Sequence, residues 1–458
     1  MFDQRYQKLH KMKHFIDNEL ENIRQTYIKT PARIVSDYNN EVEKIKDYNG
    51  RQLLEMLQNA DDESESADDK TAYIELNDTH LIIANNGNPF SEGGVQSLLF
   101  SNLSPKSILQ NKIGHKGTGF RSVLSWANNI YIKSEGLSIE FSRANAIKYL
   151  DCLVEGHPAI LDFLSKKTKE RYPIATLLTP QWKEVGYEQL NLYDTYIIMS
   201  IKEETKNDIQ DQINNLDMES LLFLQHLERI VIRSPDRNVA ISKKMLGDSR
   251  VHITMENNKG IIREKIWNIR SRTGIYEQKN YEVKLAFSDK LDDDSHLLYS
   301  FFKTNVRLPF PAIMHGTFEL TGNRNQLTVS PANDHVLDEL LQLMIDTALE
   351  IANCTTKVSW DALKLLAFDE NMDQNLINMK FDQKLIRKIM ENELFPVISG
   401  NYRSYEEKPV FFQNPYADFL PAENFPGLML YTNDAKLIKL MKQISGFIYT
   451  AESMFPLS

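Results

Sequence analysis

The stretch "NKIGHKGTGF", residues 111–120, places Gly114, Gly117 and Gly119 close together. Glycine loses more conformational freedom on folding than any other residue, so the cluster indicates either a tight turn or a backbone that approaches a ligand closely. Its spacing, G-x-x-G-x-G, differs from the G-x-G-x-x-G of a dinucleotide-binding turn and from the G-x-x-x-x-G-K-[ST] of a P-loop. The following residues, "FRSVLSWA" (120–127), predict a short helix whose first N–H groups would face an anion. A flexible basic loop is the alternative interpretation.

A second candidate feature lies upstream, in "GRQLLEMLQNADD" (residues 50–62), which predicts an amphipathic helix. Glu55 and Asn59 are four residues apart and would project side by side. Two interpretations are open. The polar face is solvated, or Glu55 polarises an attacking water while the Asn59 amide oxygen joins phosphate oxygens around Mg²⁺. Asp62, one turn on, would complete such a site or cap the helix.

The third feature is "IIANNGNPF", residues 82–90, where a strand ends in Asn85, Asn86 and Gly87. This sequence is typical of an ordinary turn. It would equally present a side-chain amide to the edge of a purine, with a glycine that leaves room for the ring.

The pattern around these features predicts an α+β sandwich. Helices are expected at 3–28 and 33–47, strands at 71–76, 80–85 and 193–202, and a hairpin at 129–141 that turns at Gly136. The order of helix, hairpin, glycine loop, helix and antiparallel strands argues against a parallel βαβ array.

Three regions are expected in the chain: a first domain at 1–205 that contains the three motifs, an α/β middle domain at 206–330, and a helical and irregular region at 331–458. The polar residues 203–215 indicate a linker, followed by strands near 251, 262, 281 and 316. Residues 333–395 are expected to be mostly helical. The remaining tail has no evident core of its own.

Composition limits the class of protein. The 458 residues are 42% hydrophobic and 25% charged, which is ordinary for a globular protein. The net charge of −10 argues against a surface that grips nucleic acid broadly. No apolar run approaches the roughly 20 residues of a membrane helix, and the N-terminus lacks a signal-peptide core. The expected location is the cytoplasm. Cys152 and Cys354 indicate neither a disulfide framework nor a zinc site.

Together the motifs resemble the Bergerat ATP-binding fold of the GHKL superfamily. "LLEMLQNADDE" is similar to its N-box, "IANNGNPF" to its adenine box and "IGHKGTGF" to its glycine lid. The closest resemblance is to the N-terminal ATPases of sacsin-like and heat-shock-chaperone-like proteins of bacteria. "SLLFLQHLERIVI" and "LPFPAIMHGTFELTGNRNQL" resemble segments of the second domain of such proteins.

The resemblance implies roles for individual residues. Glu55 would be the general base, Asn59 the Mg²⁺ ligand and Gly87 the residue that admits adenine. Thr195 would lie near the adenine, and Arg324 would reach the γ-phosphate from the second domain. The lid implied around the phosphates comprises Gly114, His115, Lys116, Gly117, Thr118 and Gly119, with Phe120 anchoring it below and Lys106 and Lys112 as further phosphate contacts.

One position departs from the family pattern. The superfamily usually has an aspartate in a D-x-G motif as its adenine contact, and Asn85 stands at that place. An asparagine oxygen still accepts a hydrogen bond from the adenine amino group, and the amide adds a donor. Asn86 is the alternative contact.

The expected function is Mg²⁺-dependent ATP hydrolysis that drives a switch of the lid and domains, which requires that ATP bind the closed state better. The resemblance implies chaperone-like work on a protein partner or client, or the ATPase part of an antiviral defence or stress system, often as a homodimer. Alternatives are a catalytically slow ATP-sensing scaffold, a histidine kinase with His10 or His14 as phosphoacceptor, and a DNA-processing ATPase, which the acidic composition disfavours.

Overall fold

The structure is a computed structural model that describes residues 2–47, 50–100, 119–183, 192–291, 297–321, 325–354, 357–368 and 371–445. It is mixed α/β and divides into two compact units. Unit 1 comprises residues 1–244 and 253–264, and unit 2 comprises residues 245–252 and 265–458. Within the described residues, no helix is long and apolar enough to cross a membrane.

In the part of the chain that the structure describes, unit 1 combines seven helices with paired β-strands. The helices are α1 (Phe2–Lys29), α2 (Ala32–Asp47), α3 (Gln52–Glu63), α4 (Glu92–Leu99), α5 (Arg143–Gly156), α6 (Pro158–Lys167) and α7 (Lys206–Asn214). The strands are β1 (Thr71–Leu76), β2 (His80–Asn85), β3 (Ala127–Ser134), β4 (Leu137–Ser142), β5 (Gln181–Trp182), β6 (Thr195–Ile201) and β7 (Arg229–Arg233). The chain continues through β8 (Asn238–Met245), β9 (Arg250–Asn257) and β10 (Gly260–Tyr276), whose residues are divided between the two units.

Most of the elements predicted around the motifs are confirmed. The first three helices, the β1–β2 and β3–β4 hairpins and β6 lie where the sequence pattern placed them. The short helix expected after the glycine loop is a 3₁₀ helix, Gly119–Ser125. Helices α4, α5 and α6 were not predicted.

The sheet of unit 1 has the order β8-β7-β1-β2-β6-β3-β4-β5. The pairs β1–β2, β2–β6, β6–β3 and β3–β4 are antiparallel, as expected. Strand β7 is different, because it pairs parallel to β1, with Ala72 opposite Ile230. The backbone N–H groups of Glu228 and Arg229 both donate to the carbonyl of Lys70, at 2.9 and 3.2 Å, and so start this pairing.

The central strands of this sheet are buried on both faces. Every residue of β2 from Leu81 to Asn85 is buried. Side chains alternate between the faces of a strand. One face carries a buried cluster of Ile82, Ala84, Tyr131, Tyr196 and Ile198. Asn85 therefore lies on the opposite face.

The linker predicted at residues 203–215 is wrong. This stretch contains α7, in which Ile209 and Ile213 are fully buried. The two isoleucines are four residues apart and form one apolar stripe on an otherwise polar helix. The polar composition concealed this stripe. The predicted boundary after residue 205 accordingly falls inside unit 1.

Unit 2 combines further strands with helices. Its further strands are β11 (Lys279–Phe287), β12 (Leu297–Ser300), β13 (Phe302–Arg307), β14 (Ile313–Gly316), β15 (Phe395–Pro396) and β16 (Tyr402–Arg403). Its helices are α8 (Pro331–Cys354), α9 (Asp361–Leu366), α10 (Gln374–Asn378), α11 (Phe381–Glu391) and α12 (Ala435–Ser445). The strands near 251, 262, 281 and 316 and the helical content of 333–395 are confirmed.

One hydrophobic core joins the strands and helices of unit 2. Val283 and Leu285 of β11 pack in the same buried cluster as Leu340 of α8 and Leu440 of α12. The predicted boundary after residue 330 therefore falls inside this unit. The C-terminal tail, for which the sequence showed no core, contributes α12 to this shared core.

A histidine lies in the interior of unit 2. His315 of β14 is fully buried, and its Nδ1 accepts a hydrogen bond from the Phe301 N–H at 3.0 Å. Burial lowers the pKa of His315 well below its usual range, and the charge of Lys284, its cross-strand neighbour, lowers it further. The ring is therefore neutral in the folded chain at neutral pH.

The buried histidine predicts acid sensitivity. Below about pH 6.5 an unfolded histidine binds a proton that the folded His315 does not, so stability falls with pH by up to about 1.4 kcal/mol per unit. Denaturant unfolding at pH 7.5, 6.5 and 5.5 should show this loss in the wild type. His315→Asn keeps an acceptor for the Phe301 N–H and should lose less stability over the same range. Equal losses in both proteins would contradict the prediction.

Candidate functional site

Helix α3 carries three of the predicted site residues. Glu55 is only 5% exposed and Asp62 only 3%, whereas Asn59 is half-buried. The interpretation of this helix face as solvated is therefore wrong for Glu55 and Asp62. A carboxylate is costly to remove from water unless it is compensated, so the burial of Glu55 calls for neighbours that tolerate it.

The last glycine of the loop lies against Glu55. A Cβ built on Gly119 would be 3.0 Å from Cδ and 3.1 Å from Cβ of Glu55 and would overlap Oε2. A residue with a side chain would fit there only if the Glu55 side chain shifted. Phe120, predicted to anchor the lid, is buried beside it. The structure thus brings together Glu55 and Gly119, two of the predicted site residues.

The other predicted phosphate-contacting residues lie outside the described part of the chain: Lys106, Lys112, Gly114, His115, Lys116, Gly117, Thr118 and Arg324.

Arg121, two residues after Gly119, has a structural role. Its buried guanidinium donates to the backbone carbonyls of Ser97, Leu98 and Leu99, at 3.5, 3.0 and 3.0 Å. These carbonyls belong to the last turn of α4, where a cation is favourable. Arg121 therefore ties the end of α4 to the 3₁₀ helix that follows Gly119.

Two carboxylates on α2 lie close enough to Arg121 to balance its charge. Burial lowers the pKa of Arg121, and the carboxylates of Glu41 and Asp37 oppose that effect. Burial likewise raises the pKa of Glu41, opposed by the backbone N–H groups of Leu177 and Thr176 and by Arg121. The two N–H groups donate to the Glu41 carboxylate at 3.0 and 2.7 Å.

A row of polar side chains crosses three strands next to α3. Asn85 of β2 is paired with Thr195 of β6, and Thr195 is paired with Ser134 of β3. All three are buried. The hydroxyls of Ser134 and Thr195 are 2.6 Å apart, and Ser134 Oγ also accepts from the Phe90 N–H at 3.0 Å. Two residues predicted from distant parts of the sequence, Asn85 and Thr195, are thus direct neighbours.

Gly87 closes the turn at the end of this row. Its φ is +136°, a region that favours glycine. A Cβ there would lie 2.7 Å from the carbonyl carbon of Glu63 and 2.9 Å from Cα of Ser64, and would overlap the Glu63 oxygen. Ser64 Oγ also donates to the Asn86 carbonyl at 2.9 Å. The turn therefore packs directly on the C-terminal end of α3.

The two asparagines of the turn differ in their contacts. Asn86 Nδ2 donates to Asp69 Oδ2 at 3.3 Å, and Asn86 Oδ1 accepts from the Asp194 N–H at 3.2 Å. Both ends of the Asn86 amide thus hold the turn. Asn85 Nδ2 donates to the Asn86 carbonyl at 3.2 Å, which leaves Oδ1 as the side-chain acceptor in the buried row. Asn86 therefore holds the turn, whereas Asn85 lies in the buried row.

Two residues of the site were missed by the sequence analysis. Asp194 accepts the Gly87 N–H at Oδ2, 3.0 Å away, and so binds the turn to the start of β6. Ser134 completes the polar row. Asp194 directly precedes the predicted Thr195, and Ser134 ends a predicted strand. Both residues are therefore next to features that the sequence predicts. Their contacts with Gly87 and Thr195 could not be predicted without the strand register.

Comparison with known proteins adds one weak relationship. No protein-family model matches the chain. The chain is similar to Protein NO VEIN of Arabidopsis thaliana, with 26% identity over 315 residues. The match covers 64% of this chain and 11% of the plant protein, so the chain spans a small part of that relative.

The close approach at Gly87 predicts a large loss of stability on substitution. Gly87→Ala would add strain at a positive φ and a clash with the backbone of residues 63 and 64, together about 2–5 kcal/mol. The control is Gly156→Ala at the end of α5, where nothing lies within 4 Å of an added Cβ. Denaturant unfolding should separate the two variants clearly. A Gly87→Ala protein as stable as the control would show that the turn does not pack on α3.

Proposed function

We propose that unit 1 binds and hydrolyses ATP in a Mg²⁺-dependent manner and that its α/β sandwich is a Bergerat fold of the GHKL superfamily. The observation that carries the proposal is the buried Glu55 carboxylate, which lies on α3 against Gly119. The Asn85–Thr195–Ser134 row at the C-terminal end of the same helix supports it. A carboxylate next to Gly119, with buried polar side chains nearby, suits the hydrolysis of a nucleotide phosphoanhydride.

Glu55 has the chemistry of a general base. A carboxylate within hydrogen-bond reach of a water accepts its proton as the water attacks the γ-phosphate. Because Gly119 has no side chain, the backbone can lie next to Glu55 without displacing its carboxylate.

Asn59 is the residue that fits a Mg²⁺ ion. Its amide lies one turn beyond Glu55 on α3 and is half-buried. Mg²⁺ prefers a few hard oxygen ligands together with phosphate oxygens and waters. When bound, the ion neutralises charge on the phosphates. Asp62, which is buried one turn further on, is placed to support this end of the site.

The buried row suits the base of the nucleotide. Asn85 Oδ1 would accept a hydrogen bond from the adenine amino group, and the hydroxyls of Thr195 and Ser134 can donate or accept. Because these groups lie on strands, their positions are set by the sheet register. The missing side chain of Gly87 is taken up by packing against the backbone of residues 63 and 64, so the proposal assigns no adenine contact to Gly87.

The proposed output is a conformational change that acts on a protein partner or client, as chaperone-like work or as the ATPase part of a defence or stress system. A cytoplasmic location and homodimer formation belong to the same proposal. The expected switch uses Arg324 and the glycine lid, which lie outside the described residues.

A second function, a nucleotide-sensing scaffold with slow turnover, is favoured by one observation. The amide of Asn85 replaces a carboxylate and already donates to the Asn86 carbonyl. Binding without turnover would distinguish this scaffold from an ATPase.

The role of Glu55 is testable by steady-state hydrolysis of Mg·ATP. Glu55→Gln keeps the shape of the side chain and removes the base, so turnover should fall about 10²- to 10⁴-fold. Glu65→Gln, at an exposed position just after α3, is the matched control. A wild type that binds ATP without turnover would support the scaffold. Turnover that survives in Glu55→Gln would remove Glu55 from the mechanism.

The role of the polar row is testable by binding. Asn85→Ala should weaken ADP binding about 10- to 100-fold, because it removes a buried hydrogen-bond acceptor for the base. Asn128→Ala, at an exposed position of β3, is the control. Isothermal titration of both variants gives the dissociation constants. Equal affinity in the two variants would place the base elsewhere.

A further inference from the structure

Helix α3 begins without a cap from its own sequence. Its N-cap residue, Arg51, makes no side-chain hydrogen bond to the first turn. The cap comes instead from α7, where Gln212 Oε1 accepts the Leu53 N–H at 3.2 Å. Gln212 Nε2 donates to Gln52 Oε1 at 2.8 Å. One side chain of α7 thus holds both the backbone and the side chain of the first turn.

The other end of α3 is held by Asp61. This residue is 0% exposed, and its carboxylate accepts the backbone N–H groups of Gln225, His226 and Leu227 at 2.9, 2.9 and 2.7 Å. Hydrogen bonds to a charged acceptor are stronger than neutral ones, and losing the acceptor would leave buried N–H groups without it.

The contacts at both ends of α3 come from a single stretch of chain, residues 206–227. Gln212 belongs to this stretch, and the backbone N–H groups that donate to Asp61 lie at its C-terminal end. This stretch has its own buried apolar residues, including Ile213, Leu216 and Leu221, so it is a packed element.

The same stretch reaches the segment that carries Gly119. Asp208 Oδ2 accepts the Trp126 Nε1–H at 2.7 Å. Gln52 Nε2 donates to Ser125 Oγ at 3.1 Å, at the end of the 3₁₀ helix that begins with Gly119. Residues 206–227 therefore contact Trp126 directly, and they connect to the 3₁₀ helix that begins with Gly119 through Gln52 of α3, which Gln212 holds.

We propose that residues 206–227 form a brace that sets the position of the Glu55 carboxylate, with Asp61 and Gln212 as positioning residues. The effect on hydrolysis rests on the proposed function, whereas the effect on the order of α3 does not. A displacement of about 1 Å at a reacting group is enough to slow a reaction about 10²-fold. The polar row of Asn85, Thr195 and Ser134 lies on β2, β6 and β3. Nucleotide affinity without Mg²⁺ should therefore be largely independent of the brace.

The test uses the full chain with Asp61→Asn, Gln212→Ala and Gln212→Glu. Gln212→Glu keeps the acceptor for the Leu53 N–H but loses the donor to Gln52, whereas Gln212→Ala loses both. Asp211→Asn, at an exposed position of α7, is the matched control. Three quantities are measured: hydrogen exchange of the amides of 53–63 and 225–227, kcat for Mg·ATP, and the dissociation constant of ADP in EDTA.

If the brace positions Glu55, the variants should change hydrogen exchange and kcat but leave ADP affinity nearly unchanged. Asp61→Asn should speed exchange along α3 and at 225–227 by about tenfold or more. It should lower kcat by roughly 10- to 100-fold and change ADP affinity by less than about threefold. Gln212→Ala should affect the first turn of α3 and kcat in the same direction, with Gln212→Glu between it and the control.

Three results would overturn all or part of the proposal. Exchange along α3 that is unchanged in Asp61→Asn shows that the brace does not order the helix, whether or not the wild type hydrolyses ATP. Faster exchange with kcat equal to the control, or with ADP affinity falling in parallel with kcat, shows that Asp61 stabilises the unit without positioning Glu55. A wild type without turnover refutes the proposed hydrolysis, and with it the positioning role, while the exchange data still decide the brace.

Discussion

The buried carboxylate of Asp61 is the constraint on which much of unit 1 depends. A charge removed from water must be compensated locally, and three backbone N–H groups from residues 225–227 compensate this one. The requirement fixes where the chain returns after α7. It places β7 parallel to β1, next to the strands that carry the polar row. A single acidic residue on α3 thus links the helix that carries Glu55 to the residues that lead into β7.

The candidate site combines two kinds of support. Asn85, Thr195 and Ser134 are aligned by strand register, which shifts only if backbone hydrogen bonds are broken. Glu55 is carried on a helix, and its position depends on side-chain contacts at both helix ends. Gly119 lies against the Glu55 side chain and Gly87 against the backbone of residues 63 and 64, so a side chain at either position would force a shift. Strand register therefore sets the position of the polar row, whereas helix-end contacts set the position of Glu55.

Sequence reasoning succeeded where a physical signal was local. The amphipathic pattern of α3, the alternation in β1 and β2 and the turn at Asn86 and Gly87 are properties of neighbouring residues, and the structure confirms these elements. It failed where the decisive contacts were distant. Residues 203–215 were predicted as a linker because only two isoleucines in α7 are apolar enough to be buried. The face of α3 that contains Glu55 was open to interpretation as solvated because its burial depends on Gly119, 64 residues further along the chain.

The sequence by itself determined which segments form helices or strands and which residues have the chemistry of a site. Periodicity, glycine spacing and side-chain functional groups are properties of neighbouring residues and can be identified in the sequence. Only the tertiary structure decided which residues meet. Asn85 and Asn86 were equivalent candidates until their hydrogen bonds separated the turn residue from the residue in the buried row. Arg121, next to a loop rich in lysine, was recognised as the cap of α4 only from its contacts. Burial and strand register arise from contacts between distant parts of the chain, and one sequence contains no direct record of them.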